Sequence, residues 1–200
     1  YRAALGKLLL GAPTGEVLNR PFKPQVTELG QRHPVTANLP GTRGEEQPRW
    51  GQWLRQIDTK LLRGNVLMSG AETNPLLVVD RFHEGRVAQF NSDHIWLWAR
   101  GFEDGGPQAE LLRRLAHWLM KEPDLEEDDL RATFDGQNLK IEHRSLFKQD
   151  KVEIELTDPA GRTRKVELDD AKGGQHSSEV RVKHSGLYTI RQGDKTVLVA

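Results

Sequence analysis

Apolar residues follow two different periodicities along this chain. Up to about residue 125 they recur at helical spacing or in short continuous runs, whereas from Leu130 onward they alternate with polar residues. A helix repeats its apolar face every three to four residues, and a strand repeats it every two. The segment 122–129, with its proline and its run of acidic residues, has the composition of a linker. The pattern therefore predicts two domains, residues 1–125 and residues 126–200.

The first domain is predicted to combine helices with a sheet. The apolar run Pro75–Val79 suits a strand that is covered on both faces, as in α/β layers. A turn containing Gly85, expected to have positive φ, joins it to a second strand over 87–93 in a β-hairpin. The other predicted elements are a helix at 2–10, loops at 16–40, a helix from Trp50 to Leu61, a strand at 66–68, a helical turn at 94–100 and a helix that begins at Pro107 and reaches Leu119.

The second domain is predicted to be all β. Alternating apolar and polar residues indicate about six or seven short strands in roughly 70 residues, which is typical of an antiparallel immunoglobulin-like sandwich. Tyr188 follows a glycine turn near the penultimate strand, in the position of the buried corner tyrosine of such sheets.

The composition excludes several classes of function. The net charge is zero, with 29 basic and 29 acidic side chains, so neither half has the basic excess that nucleic acid or an anionic membrane requires. There is no cysteine, and the seven histidines show no metal-ligand spacing, so we expect no metal and no cofactor. No apolar run reaches the roughly 18 residues of a membrane span. The chain opens at Tyr1 within a domain-like segment, which suggests a piece of a longer protein.

The segment 91–100 is the densest in chemically useful side chains. Asp93 and His94 fall where a strand ends and a helix begins, the edge at which open α/β sheets bind ligands, and a carboxylate beside an imidazole can do acid–base work. His33 is the third acid–base candidate. The alternative is structural: Asp93 caps the helix by accepting backbone N–H bonds. In that interpretation Trp96 and Trp98 pack, and Arg100 is solvated or paired.

The hairpin and the helix after it carry a resemblance to a known family. The segments Gly85–Trp98 and Leu111–Leu119 resemble the end of a class I glutamine-amidotransferase-like domain, and His33–Thr36 and Pro75–Val79 fit that family's preceding pieces. The likeness is to domains of large, uncharacterised, membrane-anchored bacterial proteins, in which a β-sandwich follows. It covers roughly residues 20–122. It implies a flavodoxin-like three-layer α/β fold, incomplete at its N-terminus, followed by an immunoglobulin-like sandwich.

The resemblance also bears on activity. The family's enzymes use a cysteine nucleophile and a His-Pro-Glu motif, whereas this chain has no cysteine and carries Asn91 and Asp93 at the corresponding positions. An amide cannot act as a general base in place of imidazole. We therefore predict a non-catalytic binding or scaffold region of a bacterial cell-envelope protein, on the periplasmic side by resemblance alone.

The binding hypothesis comes with named residues and partners. The predicted contacts are made by Asn91, Trp96, Trp98 and Arg100. The expected partner is a protein, or other domains of the same longer chain, with no nucleic acid and no direct membrane contact. The alternative hypothesis is a hydrolase or amidotransferase-type enzyme with an unconventional site at Asp93, His94 and His33.

Overall fold

The computed structural model describes residues 6–42, 48–147, 149, 151–170 and 174–200, with the side chain of Asp170 left out. The chain divides into two compact units, Tyr1–Glu126 and Glu127–Ala200. Strands account for 44% of the residues and helices for 15%. The protein is therefore built mainly from sheets.

The first unit contains two antiparallel sheets and, among its described residues, two α-helices. One sheet pairs β1 with β3, and the other has the order β2-β4-β5-β6. The elements are β1 Gly11–Leu18, β2 Gln25–Val26, β3 Gln56–Leu61, β4 Asn65–Ser69, β5 Pro75–Phe82, β6 Gly85–Phe90, α1 Ile95–Ala99 and α2 Gln108–Leu119.

Tryptophans dominate the core of the first unit. The Trp98 ring lies 5.1 Å from that of Trp50 and 4.8 Å from that of Trp53, measured between centroids. A Cβ atom on Gly106 would lie 2.4 Å from the Trp98 ring, so this glycine lets the backbone pass against the indole. Strand β5 and helix α2 supply further large buried side chains, which include Leu76, Leu77, Val79, Leu111, Leu115 and Trp118.

The flavodoxin-like, amidotransferase-like α/β prediction is wrong. A flavodoxin-like domain has a parallel sheet with a crossover helix between neighbouring strands. Here the hydrogen-bonded neighbours β4, β5 and β6 run antiparallel, and both described α-helices follow the last strand of that sheet. The run Pro75–Val79 is buried as expected from Leu76 onward, but it is buried inside a hairpin-based antiparallel sheet. The resemblance that implied this fold is thereby overturned.

The helix predicted from Trp50 to Leu61 is also wrong. Residues 56–61 form β3, which pairs antiparallel with β1, and Gly11 and Pro13 lie in a strand where a loop was expected. Ile57 and Leu61 are 42% and 40% exposed, so their helical spacing with the buried Trp53 does not mark one buried face. Residues 2–5 of the predicted first helix lie outside the described residues.

The hairpin of β5 and β6 and helix α2 match their sequence patterns closely. The paired residues run from Leu77 opposite Phe90 to Phe82 opposite Gly85. The positive φ in the turn belongs to His83, at 50°, and not to Gly85 as predicted. Helix α2 begins directly after Pro107 and buries three of the five residues of the predicted apolar stripe, Leu111, Leu115 and Trp118. The other two, Leu112 and Leu119, are exposed.

The second unit is a seven-stranded antiparallel sheet in the order β13-β12-β9-β10-β11-β8-β7. Its strands are β7 Asp129–Asp135, β8 Asn138–Arg144, β9 Val152–Thr157, β10 Thr163–Asp170, β11 Gln175–Arg181, β12 Tyr188–Gln192 and β13 Lys195–Val199. The two end strands β13 and β7 also approach each other, so the sheet curls into a near-barrel. All its described strands are antiparallel, as the sequence predicted for an all-β domain, and the immunoglobulin-like sandwich stays a prediction.

The core of the second unit comes from the alternation of apolar residues along its strands. Residues of β8 and β9 alternate between buried and exposed, as period-two patterning requires. Tyr188 is buried, and its hydroxyl donates a hydrogen bond of 2.8 Å to the carbonyl of His184, four residues upstream. That bond ties the start of β12 to the loop before it.

Candidate functional site

The turn between β6 and α1 holds the predicted acid–base pair. The Asp93 carboxylate accepts a hydrogen bond of 2.5 Å from the Arg55 guanidinium. Burial opposes ionisation of Asp93, but the hydrogen bonds and charge of Arg55 outweigh it and lower the pKa of this carboxyl. Asp93 is therefore an ionised ion-pair partner, and α1 has no side-chain cap.

His94 is held by the backbone of a neighbouring segment. Its Nδ1 accepts a hydrogen bond of 3.1 Å from the Leu54 amide, which leaves Nε2 3.9 Å from the Asp93 carboxylate. The turn itself is fixed by Ser92, whose hydroxyl accepts from the His94 amide at 3.1 Å and donates to the Arg55 carbonyl at 2.6 Å. Ser92 therefore holds the turn, whereas the helix-capping hydrogen bond predicted for Asp93 is not formed.

His33 is placed in a different environment from Asp93 and His94. Its side chain is fully buried, its ring centroid lies 5.5 Å from that of Trp118, and its Nδ1 accepts a hydrogen bond of 3.2 Å from the Val35 amide. His33 packs on Trp118 of α2, whereas Asp93 and His94 lie in the turn before α1. The Asp93 and His94 contacts are those of a structural turn.

The four residues predicted to contact a partner divide into two kinds. Asn91 and Trp98 are buried: the Asn91 amide donates to the Pro75 carbonyl at 2.8 Å, and the Trp98 indole donates to the Gly51 carbonyl at 2.8 Å. Trp96 is 51% exposed, and Arg100 is exposed at the end of α1. Only Trp96 and Arg100 are available to a partner, and their proposed contact with one stays a prediction.

The second unit contains a cleft between β10 and β11 that the sequence did not predict. Among the described residues, β10 and β11 pair with each other only at Asp169 with Ser177 and at Asp170 with His176. On their other sides, β10 pairs with β9 from Thr163 to Leu168, and β11 pairs with β8 along its length. Strands β10 and β11 thus separate toward the start of β10 and leave a cavity of about 510 Å³.

Cationic side chains surround this cavity. Its floor is apolar, formed by Leu156, Val182 and Tyr188. The other residues that line it are Asp158, Arg162, Thr163, Arg164, Arg181, Lys183 and His184. We call this site the cationic cleft.

The single carboxylate of the cationic cleft is already engaged. Asp158 accepts hydrogen bonds from the backbone amide of Arg162 at 2.9 Å and from its guanidinium at 2.8 Å. The Arg162 amide, foremost, and its guanidinium lower the pKa of Asp158 against the opposing effect of burial. Within the described residues, Arg164 and Lys183 have no ion-pair partner, and Arg181 reaches only the Gln137 amide oxygen, at 3.4 Å. The cleft therefore carries excess positive charge.

The sequence contains a signal for this cleft, in the form of two pairs of basic residues. Arg162 and Arg164 stand at the start of one strand, and Arg181 and Lys183 stand at the end of the next. In an antiparallel pair, the start of one strand and the end of its neighbour lie at the same edge of the sheet. Once the two strands are known to be neighbours, the two basic pairs must converge. The overall neutral charge of the chain hid this local excess.

Two buried histidines form the other polar cluster of the second unit. His143 on β8 is directly opposite His176 on β11, with ring centroids 6.3 Å apart. Both side chains are buried, and the Nδ1 atoms of both have no hydrogen-bond partner in the described structure. Burial, foremost, and the nearby Lys195 lower the pKa of His143, while Asp128 opposes them. The neutral imidazole of His143 is thus the form that the fold stabilises.

Nothing in the described ranges is arranged as a metal centre, since no group of three or more histidine, aspartate or glutamate side chains could hold an ion there. Over the same ranges, no helix is long and apolar enough to cross a membrane. No protein-family model, curated protein or solved structure matches this chain. The predicted envelope location followed from the resemblance alone, and it stays a prediction.

Proposed function

We propose that this chain is a non-catalytic binding module and that the cationic cleft is its binding site. The observation that carries the proposal is the excess of cations around an open cavity of about 510 Å³ with an apolar floor. Arginine and lysine in such a setting bind carboxylates through charge-assisted hydrogen bonds. The ligand class is therefore anionic, and a protein partner that presents acidic side chains fits it.

The acid–base candidates favour binding over catalysis in this proposal. General acid–base work needs a group free to exchange a proton with a substrate. Asp93 is bonded to Arg55, and the Nδ1 of His94 is bonded to the Leu54 amide. His33 is fully buried. These contacts support a structural role for all three residues and count against the alternative enzyme hypothesis.

The proposal is tested by titrating the full chain with triglutamate while recording backbone amide shifts by NMR. We expect shifts concentrated at 163–164 and 181–184, with trilysine causing none. Because exposed charges are screened by salt, the affinity should fall as the ionic strength rises from about 0.05 to about 0.3 M. Inorganic phosphate is the second arm, and it distinguishes a general anion site from one that prefers carboxylates. An absence of triglutamate binding, or shifts only in the first unit, would contradict the proposal.

A further inference from the structure

We propose that the cationic cleft binds a small amphiphilic carboxylate, with its anionic group at Arg164 and its apolar body on the floor of the cavity. The inference rests on the proposed function and specifies the chemistry of the ligand. It depends on the register of β10, which places Arg164 on the same face of the strand as the core residues. A medium-chain fatty acid is a ligand of this class.

The inward face of β10 changes from apolar to charged along the strand. Leu168, Val166 and Arg164 occupy alternate positions, so their side chains share one face. Arg164 pairs with Leu156 of β9, which is buried in the core. Along this face Leu168 is buried, Val166 is half-buried and Arg164 is exposed. Arg164 therefore takes a core-facing position at the point where the near-barrel opens into the cavity.

The neighbouring strand β11 completes the apolar surround of Arg164. Val180 pairs with the buried Leu139, and Val182, two residues further along the same face, packs against the core of the unit. Extending the ladder of β10 and β11 beyond its last pair would bring Val182 opposite Arg164. On its inward face, Arg164 is thus flanked by Leu156 on one side and by Val182 across the gap, and all three line the cavity.

The carboxylates near the cleft do not neutralise Arg164. Asp158, which lines the cavity, is bonded to the Arg162 guanidinium at 2.8 Å. Glu167 and Glu179 occupy positions that alternate with the core-facing valines, so their side chains project from the outward face. A ligand carboxylate that enters on the inward face therefore meets a cation without a counter-ion and does not face these two glutamates.

A cation within an apolar surround selects a ligand with one anionic group and an apolar body. A guanidinium binds a carboxylate through two parallel hydrogen bonds. The carbon chain beside that carboxylate would cover Leu156, Val182 and Tyr188, which stabilises binding by removing apolar surface from water. The cavity of about 510 Å³ lies in the size range of small-molecule sites, roughly 300–1,000 Å³. A hydrophilic polyanion would use the charge and leave the floor uncovered.

The test is a titration of the full chain with acetate, butanoate, hexanoate and octanoate, followed by NMR of the backbone amides. We expect the affinity to rise about twofold for each added methylene, because full burial is worth about fourfold and one side of the cavity is open. The shifts should concentrate at Leu156, Arg164, Val182 and Tyr188. Octylammonium, which has the same chain with the opposite charge, should not shift these residues. Triglutamate should bind more weakly than octanoate.

Two variants separate the charge of the cleft from its apolar floor. Arg164→Gln should weaken the binding of every carboxylate in the series about tenfold, because the charge-assisted hydrogen bonds are lost. Val182→Thr, which exchanges a methyl group for a hydroxyl, should reduce the gain in affinity per methylene.

The matched control is Arg191→Gln, which should leave octanoate binding unchanged. Arg191 lies on β12 opposite Glu155, is exposed, and does not line the cleft. Equal unfolding midpoints of the three variants and the parent would show that the fold is kept.

The outcomes separate this inference from the proposed function. If acetate and octanoate bind equally, the amphiphilic ligand is overturned while anion binding stands. If triglutamate binds more tightly than octanoate, the acidic side chains of a protein partner are the better ligand, and this inference is again overturned alone. If octylammonium binds as tightly as octanoate, or if neither octanoate nor triglutamate binds, both proposals are overturned.

Discussion

The Asp93 turn of the first unit and the cationic cleft of the second both gather charged side chains at the end of a strand. In the turn, Asp93 is paired with Arg55 and the Nδ1 of His94 is bonded to a backbone amide. In the cleft, the one cation that is paired with a carboxylate among the described residues is Arg162, whose partner is Asp158. Charges that are satisfied within the chain stabilise the fold, whereas an excess without counter-ions is available to a ligand. This difference is the reason why we propose a binding site in the second unit.

The largest expected effect is a loss of stability of the first unit when its buried Trp98 is removed. Trp98→Ala should destabilise the first unit by about 3–5 kcal/mol, because it removes a buried indole that packs on Trp50 and Trp53. The control is Trp96→Ala, which should cost less than about 0.5 kcal/mol because the side chain is half exposed. Urea unfolding measures both. Equal losses of unfolding free energy would contradict the difference in burial between the two tryptophans.

A smaller effect separates Ser92 from Asp93. Ser92→Ala should cost about 1 kcal/mol, because the hydroxyl accepts from one backbone group and donates to another. Asp93→Ala should cost no more than about 0.5 kcal/mol, since its ion pair with Arg55 is solvent-exposed. Both free energies of unfolding come from the same denaturant series. A larger loss for Asp93→Ala would restore the capping hypothesis.

The smallest effect at neutral pH is expected from the buried His143, whose burial lowers the stability of the second unit only on acidification. Burial, foremost, and Lys195 lower the pKa of His143, and Asp128 opposes them. As the pH falls, His143 is therefore protonated in the unfolded state at a higher pH than in the folded state. His176 also faces the ring and lowers its pKa further. Stability of the second unit should be complete above about pH 6.5, the unfolded value, and should fall as the pH drops through that value.

The measurement is the urea midpoint of the full chain at a series of pH values from 7.5 to 5.5. His143→Gln should flatten this dependence whatever it does to the absolute stability. The control is His184→Gln, at an exposed loop position, which should leave the slope unchanged. An identical slope in the parent and in His143→Gln would exclude His143 as its cause.

Local patterns predicted the elements that satisfy their own periodicity. Leu111, Leu115 and Trp118 repeat at helical spacing and are buried on one face of α2. Val152, Ile154 and Leu156 alternate with glutamate and threonine neighbours and are buried along β9. In both cases the residues that pack together lie close in sequence, so the pattern contains the needed information.

The errors arose where the decisive contacts are distant in sequence. The stretch from Trp50 to Leu61 has helical spacing, but its end is a strand because it pairs with β1, whose partner residues lie 38 to 50 positions upstream. Asp93 has the sequence position of a helix cap, but its carboxylate accepts a hydrogen bond from Arg55, 38 residues away. A single segment cannot reveal which distant group competes for its backbone or its charge.

By itself, the sequence determined the strand alternation of the second unit, the hairpin at 75–90 and helix α2, because these depend on periodicity and on turns. Only the tertiary structure decided that β3 pairs with β1, that the charges of the Asp93 turn are satisfied, and that β10 separates from β11. The cleft belongs to this second group. Arg164 and Lys183 are 19 residues apart, and only the near-barrel brings them to one cavity, where the long-range register leaves them without counter-ions.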